Sequence, residues 1–522
     1  MQSAFKSLNK VGSTFSCESF AGSLYFGLGS DNLVLSGNYQ FKVIRGLVDF
    51  CGITLTSGPQ IYDASSPVAP FPVFKAVYNQ IDEPLNQEEC DGMAHLLEPY
   101  PSIIRVWQSD HVPDVSSIAP PYKSLWHYLR RVENQDAPLL TIPKSWQEVD
   151  HTVPSIVIVG PKNSGKSNLC KYICNRQYMS PQNNRTYYLE LDPGQPEYTP
   201  PGFLSLHEIK QLNFSSGYTH PQFINVVKSH YLGYVSPMET PDRYLDMCQE
   251  LLGTFRSISR SGDQLIVNTT GWTKGLGLEL NQEIIAMVDP YIVLHLGPQD
   301  SFANVVVLER IEPQNLQNEP KSSNDAETGD TSLEKITSNT TITSGGFSSA
   351  ELRNLQHMIY FHSHDLSHIT EWDPFEVSLG TSIGIYAFAV LDSEGINLKS
   401  DLGICVEGTI VSINILDREE TGLDPVALNS HDANNIWSQS HAIGLAVVQY
   451  LDLVTNTVRL LTPVDPVAHD LPNKQVILCR GRVQLPIWDF QNRKFSDSPW
   501  IIANKQPGIG STYTRFRRNI QR

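Results

Sequence analysis

Three parts of the chain carry three different patterns of apolar and polar positions. Up to about residue 140 the apolar residues come in short β-prone runs, Leu33–Ser36 and Tyr39–Val48, with Gly37, Gly46 and Gly52 placed as turns. Pro67, Pro70, Pro72, Pro120 and Pro121 then read as loops across a β-sandwich. From Pro154 the pattern changes. Ser155–Val159 is a nearly continuous apolar run, as expected of a strand covered on both faces, Gly160–Gly165 a loop, and Lys166–Tyr178 a helix. Tyr187–Leu191 and Leu265–Asn268 are further buried strands, Phe223–Val227 another strand, and Tyr291–Leu296 one more. Asp242–Arg260 has helical apolar spacing at Leu245, Cys248, Leu251, Leu252 and Phe255, and Glu279–Val288 is also helical. Strands alternating with helices of this length predict a parallel α/β sheet. From about residue 380 the runs Ser382–Leu391, Gly403–Ile415, Ala442–Leu453, Val458–Pro463 and Gln475–Val483 are again β-rich.

The predicted organisation is an N-terminal β-rich domain (1–140), a central α/β domain (141–378), a C-terminal β-rich domain (379–504) and a tail (505–522). Within the central domain, residues 312–346 are rich in Ser, Thr, Asn and acids and hold no aromatic residue, so they are expected to form a disordered insertion.

Composition narrows the class. The chain has 522 residues, 40% of them hydrophobic, and a formal net charge of −17, which speaks against a general nucleic-acid coat protein but not against a local basic groove. No apolar stretch approaches the roughly 20 residues of a membrane span, and Met1–Val11 lacks a secretion pattern, so a soluble intracellular protein is expected. Eight scattered cysteines without a CxxC pair fit reduced, buried thiols. Lys505–Arg522 carries five basic residues and no acid, and reads equally as a solvated tail or as a docking or RNA-touching one.

The strongest chemical signal is Gly160-Pro161-Lys162-Asn163-Ser164-Gly165-Lys166-Ser167, a Gly-x4-Gly-Lys-Ser phosphate loop between a predicted strand and a predicted helix. Its glycines let backbone N–H groups turn toward a phosphate at a helix N-terminus. Lys166 would reach the β- and γ-phosphates of a bound nucleotide, and the Ser167 hydroxyl would hold Mg²⁺. Asp192 closes the next strand, where a carboxylate can hold Mg²⁺ or accept a proton from an attacking hydroxyl; Glu190 and Gln195 are weaker members of the same group. Gly194 falls two residues after Asp192 and no Asn-Lys-x-Asp occurs, which argues against a Ras-type GTPase. Trp272, flanked by glycine on the sheet rim, can stack on a base or plug an interface. Arg353 lies in a segment that reads equally as a mobile kinase lid, near 347–365, whose arginine would stabilise a transferred phosphoryl group, or as a helix with a surface arginine. His362, His364 and His368 lack companions at ligand spacing and read as structural.

Together these segments resemble the polynucleotide 5′-hydroxyl kinase family, over nearly the whole chain. The resemblance is carried by Phe41–Gly46, Ile142–Trp146, Gly160–Ser167, Glu190–Pro196, Thr270–Gly275, Tyr360–His362, Leu478–Gly481 and Leu485-Pro486. The phrases Leu191–Glu197, Thr199–Gly202 and Arg515–Asn519 resemble the nucleolar pre-rRNA-processing branch more than the mRNA cleavage-factor branch, which stays open as an alternative. The resemblance implies an α/β P-loop kinase domain flanked by β-rich domains. It further implies ATP- and Mg²⁺-dependent phosphorylation of RNA 5′-hydroxyl ends in the pre-rRNA spacer, in the nucleus and nucleolus, beside a Las-type endonuclease reached through the C-terminal tail. By the same resemblance Lys166, Asp192 and Arg353 are catalytic, Ser236 clasps the substrate and Trp272 contacts a base. The rival expectations are a nucleotide-bound scaffold of an RNA-processing complex and an RNA-stimulated ATPase.

Overall fold

The computed structural model describes residues 5–297 apart from 68–69, 78–84, 86–88, 92–93, 110–128, 133–136 and a few single or adjacent positions. It also describes 305–309, and 347–483 apart from 364–371, 381–383, 392–397, 417–426, 429–439 and 467. The expected insertion (312–346) and basic tail (505–522), with His364, His368, Leu485 and Pro486, lie outside the described residues.

The central sheet is built from β1 (Ser155–Val159), β2 (Thr186–Glu190), β3 (Phe203–Glu208), β4 (Val226–Tyr231), β5 (Gln264–Asn268), β6 (Ile292–Leu296) and β7 (Val305–Glu309), in the order β4-β3-β2-β5-β1-β6-β7. Helix α1 (Lys166–Tyr178) follows β1, α2 (Pro241–Ile258) follows β4, and α3 (Leu276–Val288) follows β5. Strands β2, β5, β1 and β6 are parallel, as predicted. The flanks are not: β3 and β4 on one side and β7 on the other pair antiparallel. A parallel return needs a crossover, usually a helix, and the link between β2 and β3 holds Pro193, Pro196, Pro200 and Pro201, which prevent one. β4 also starts later than predicted, because Phe223 and Asn225 take positive φ (59° and 48°) and break the extended run.

In the N-terminal domain, strand Leu33–Arg45 runs through Gly37 instead of turning there. Gly37 (φ 118°) marks a change of partner, from Val73–Phe74 before it to Tyr62–Ser66 after it. In the C-terminal domain, the predicted strand Gly403–Ile415 divides into a helix, Leu398–Val406, and a strand, Ile410–Leu416, with Gly408 (φ 68°) between them. Phe375–Ser378 pairs with Thr457–Leu461, so the C-terminal sheet begins before residue 379.

Two cores cross the domain boundaries. Along β1 the side chains alternate: Ile156 and Ile158 join a core with Leu169 and Ile173 of α1 and with Phe41, Phe50 and Phe74 of the N-terminal domain. Val157 and Val159 face the other core, with Leu251 of α2, Ile284 of α3, and Leu445 and Ile477 of the C-terminal domain. The short strand Phe214–Ser215 leaves the central domain to pair, parallel, with Ala64–Ser65. No helix among the described residues is long and apolar enough to cross a membrane.

Candidate active site

The phosphate loop follows β1 directly. Gly160 cannot be replaced without displacement, since a Cβ there would lie 2.8 Å from the Leu296 carbonyl oxygen and 2.9 Å from Ser164 Oγ. Asn163 (φ 62°) and Gly165 (φ 95°) adopt the left-handed conformation that turns the loop into α1, and Gly165 is the residue before the first helical turn. Pro161 is half-buried and Lys162 exposed; Ser167 is half-buried on the first turn of α1. Ser164 Oγ is buried with no hydrogen-bond partner among the described residues, and the Lys166 ammonium donates to the Gly160 and Pro161 carbonyls (3.0 and 3.1 Å). A polar hydroxyl and a cation folded onto a glycine-lined turn are the groups that a bound polyphosphate would engage. Burial pushes Lys166 below the usual lysine range, and the charges of Asp192, Cys170 and Glu190 oppose that shift.

Asp192 sits just past β2, half-buried, with Oδ1 accepting the Gly194 N–H (2.9 Å). Its charge favours the protonated forms of both Lys166 and Arg353, and Arg353 lines the same cleft as Ser167 of the phosphate loop. Burial lowers the Arg353 guanidinium, and Asp192 opposes the shift. The segment carrying Arg353 is not the mobile lid the sequence suggested. It is helix α4 (Ser349–Phe361), capped by Ser348 and Glu351, which exchange side chain-to-backbone bonds of 2.7 and 3.3 Å. Leu352, Leu355, Met358, Ile359 and Phe361 anchor it in the core, and Gln356 donates to the Pro196 and Thr199 carbonyls (2.9 and 2.8 Å).

Ser236 and Trp272 lie on the same rim, at the carboxyl ends of β4 and β5. Ser236 accepts the Met238 N–H (3.3 Å) and so starts a single helical turn, Pro237–Glu239. Its loop touches the Asp192 turn: a Cβ on Gly194 would lie 2.9 Å from the Val235 oxygen. Trp272 is half-buried, its ring packed on Gly277 at the start of α3, while Gly271 next to it abuts Lys162 of the phosphate loop. The ring therefore combines packing with a partly open surface.

Glu190 reads from sequence only as a weaker member of the Asp192 group, and Lys171 and Asn213 are not singled out there at all. Glu190 is fully buried at the end of β2 and accepts four hydrogen bonds: Oε1 from the Asp192 N–H (3.0 Å) and Asn268 Nδ2 (2.8 Å), Oε2 from the Tyr188 hydroxyl (2.7 Å) and the Glu197 N–H (3.2 Å). Burial, then the Asp192 carboxylate, pushes its carboxyl up to about 8, while these hydrogen bonds favour the ionised form. Glu197, also buried, pairs with Lys171 (3.3 Å) and accepts from Asn213 Nδ2 (3.0 Å). Lys171 and Asn213 line a cleft of about 260 Å³ together with Ser167, Gln195 and Arg353 and with Ser65 and Pro72 of the N-terminal domain. On the other side, the C-terminal domain seats Gly481 against Gly233, and the Arg482 N–H donates to the Gly233 carbonyl (2.8 Å). The signal for Glu190 and Asn268 was present in the sequence: each is a polar residue ending an apolar run, and they sit opposite each other in the β2–β5 register.

Residues 160–363 match the family model described as mRNA cleavage and polyadenylation factor CLP1 P-loop. Among curated proteins, the polynucleotide 5′-hydroxyl-kinase GRC3 of Candida albicans is 27% identical over 65% of this chain and 53% of its own length. The protein of that name from Gibberella zeae is 26% identical over 88% of this chain and 69% of its own, and that from Schizosaccharomyces pombe 25% over 96% and 77%. The chain thus spans about half the length of the Candida relative. A solved structure of a wild-type Clp1p–Pcf11p complex aligns with a TM-score of 0.47 at 14% identity, over 89% of this chain and 97% of that one. The chain is accordingly a homologue of proteins curated as polynucleotide 5′-hydroxyl kinases, at 25–27% identity to these three, with a CLP1-type P-loop at its centre.

Proposed function

We propose that this chain is an ATP-dependent kinase that phosphorylates the 5′-hydroxyl end of RNA. The observation that carries the reading is the loop Gly160–Ser167 with the Lys166 ammonium folded onto it, followed by Asp192 in the turn after β2 and by Arg353 on the cleft that Ser167 also lines. In such a site Asp192 orients the RNA hydroxyl and accepts its proton, while Lys166 and Arg353 offset the charge that spreads over the transferred phosphoryl group. Ser167 and Asp192 are the residues that would hold Mg²⁺, which when bound neutralises phosphate charge. The α1 face supplies the cleft of about 260 Å³ for the nucleoside of ATP, and the opposite rim, with Ser236 and Trp272, is left for single-stranded RNA held by stacking and phosphate contacts. The finer setting belongs to the same proposal: pre-rRNA spacer processing in the nucleolus, beside a Las-type endonuclease. The names of the three relatives and the phrase Leu191–Glu197 support that branch over the mRNA one.

The test is transfer of ³²P from the γ-position of ATP to a short 5′-hydroxyl RNA, with a 5′-phosphate RNA as control. Label on the 5′-hydroxyl RNA alone is expected, abolished by Lys166→Ala and reduced about 10²–10⁴-fold by Asp192→Asn. ATP binding without label would leave the scaffold reading, and phosphate released to water on RNA addition would leave the ATPase.

A further inference from the structure

We propose that Glu190 is a positioning residue for this site: it fixes the direction in which the Asp192 carboxylate points by holding the Asp192 backbone and the end of the neighbouring strand on one oxygen. The proposal rests on the kinase reading above. Asp192 leaves β2 at a turn, and two bonds define its orientation. Its own N–H is held by Glu190 Oε1 (3.0 Å), and its Oδ1 is held by the Gly194 N–H (2.9 Å). The same Glu190 oxygen takes Asn268 Nδ2 (2.8 Å), so the carboxyl ends of two adjacent parallel strands are tied at one point. The second oxygen takes the Glu197 N–H (3.2 Å), which fixes the far end of the Asp192–Glu197 turn, and Glu197 itself is pinned to Lys171 on the cleft wall. A displacement at the nucleoside cleft therefore reaches the Asp192 turn through bonded groups.

The chemistry of the side chain matters here. Three N–H groups and the Tyr188 hydroxyl converge on the two oxygens of Glu190, and a glutamine would keep one of those oxygens and turn its amide N–H₂ toward the Glu197 N–H or the Asp192 and Asn268 N–H groups. Burying a carboxylate fully is costly, and packing alone would be served better by an apolar residue. Its place is explained by what it orients.

The experiment is a double-mutant cycle on RNA phosphorylation, with kcat, the KM for ATP and the KM for RNA measured in the full chain for wild type, Glu190→Gln, Asp192→Asn and the pair. A 1 Å misplacement of a reacting group can cost about 10²-fold, so Glu190→Gln is expected to lower kcat about 10–100-fold with the KM for ATP little changed. In the Asp192→Asn background the same change is expected to cost less than about twofold, because nothing remains to be aimed. Equal fold-losses in both backgrounds would reduce Glu190 to a general structural part, and an unchanged kcat in Glu190→Gln would overturn the proposal outright. If Glu190→Gln does not fold, Asn268→Leu replaces it, with a smaller kcat loss that must again vanish beside Asp192→Asn. A wild-type chain that binds ATP and labels no RNA overturns the kinase reading, and this proposal with it.

Discussion

The contact between Gly233 and Gly481 gives a sharp test of whether the C-terminal domain shapes the RNA side of the site. A Cβ on Gly481 would lie 2.3 Å from the Gly233 oxygen and 2.4 Å from its Cα, and both neighbours are backbone, which cannot rotate away. Ordinary contact requires about 3.4 Å or more, so in Gly481→Ala the two chains must part by about 1 Å. Overpacking of this kind costs roughly 1–3 kcal/mol. Stretching or losing the Arg482 N–H to Gly233 carbonyl bond (2.8 Å) adds about 0.5–1.5 kcal/mol. The expected loss is therefore about 2–4 kcal/mol, visible as an earlier unfolding transition in urea with an unchanged slope. The displaced loop is the one that carries Ser236 and leans on Gly194, whereas Gly160–Ser167 is braced from the other side by Trp146 and Leu296. Steady-state phosphorylation should then show a KM for RNA raised by about tenfold or more with ATP binding unchanged. A Gly481→Ala protein with wild-type stability and a wild-type KM for RNA would refute the reasoning; a loss of ATP binding would show that the two sides of the loop are not independent.

Two further outcomes follow from single residues. Gly277→Ala places a Cβ 2.3 Å from the Trp272 ring, so the indole must move; RNA binding by fluorescence anisotropy should weaken while ATP binding holds, and unchanged RNA affinity would remove Trp272 from the RNA surface. His357 is buried and held neutral, its value pushed down to about 4, while the unfolded chain titrates near its ordinary value of 6.5. Its contribution to stability is thus complete above pH 6.5 and is lost as pH falls toward 4, because there the unfolded chain binds a proton that the fold refuses. His357→Gln should flatten the fall in unfolding midpoint between pH 7 and pH 5, and a slope equal to wild type would show that other groups carry it.

The parts of this fold set by local pattern were legible in the sequence. β1, α1 and β5 stand within a residue of where apolar runs and the glycine loop put them, because each is short, doubly covered and bounded by turn chemistry. What failed depended on partners far along the chain. The pairing of β3 and β4 reverses direction through a proline-rich link, and no run of residues announces which way a strand points. Gly37 reads as a turn until its strand is seen to change partners across it. At the site, the phosphate loop and Asp192 announce themselves by residue type and order. Glu190 stands out there only as a weaker member of that group, since its place is set by four partners from β2, β5 and the turn that follows β2. Arg353 reads from sequence equally as part of a mobile lid or as a helix-surface arginine, and the spacing of Leu352, Leu355 and Ile359 behind the Ser348–Glu351 cap is that of the docked helix the structure shows.

The strand Phe214–Ser215, lent by the central domain to the N-terminal sheet, bears on how the protein is made and how it can be divided. During synthesis the N-terminal sheet cannot be completed when its own last residue leaves the ribosome; it waits with an open edge at Ala64–Ser65 until residue 215 has emerged. The same loan means that cutting the chain near residue 140 would leave two fragments, one with an unpaired edge and one with Phe214 stripped of Phe41, Phe50 and Tyr62. The boundary visible in composition is therefore no seam for dissection, and the first two domains should melt as a single cooperative unit.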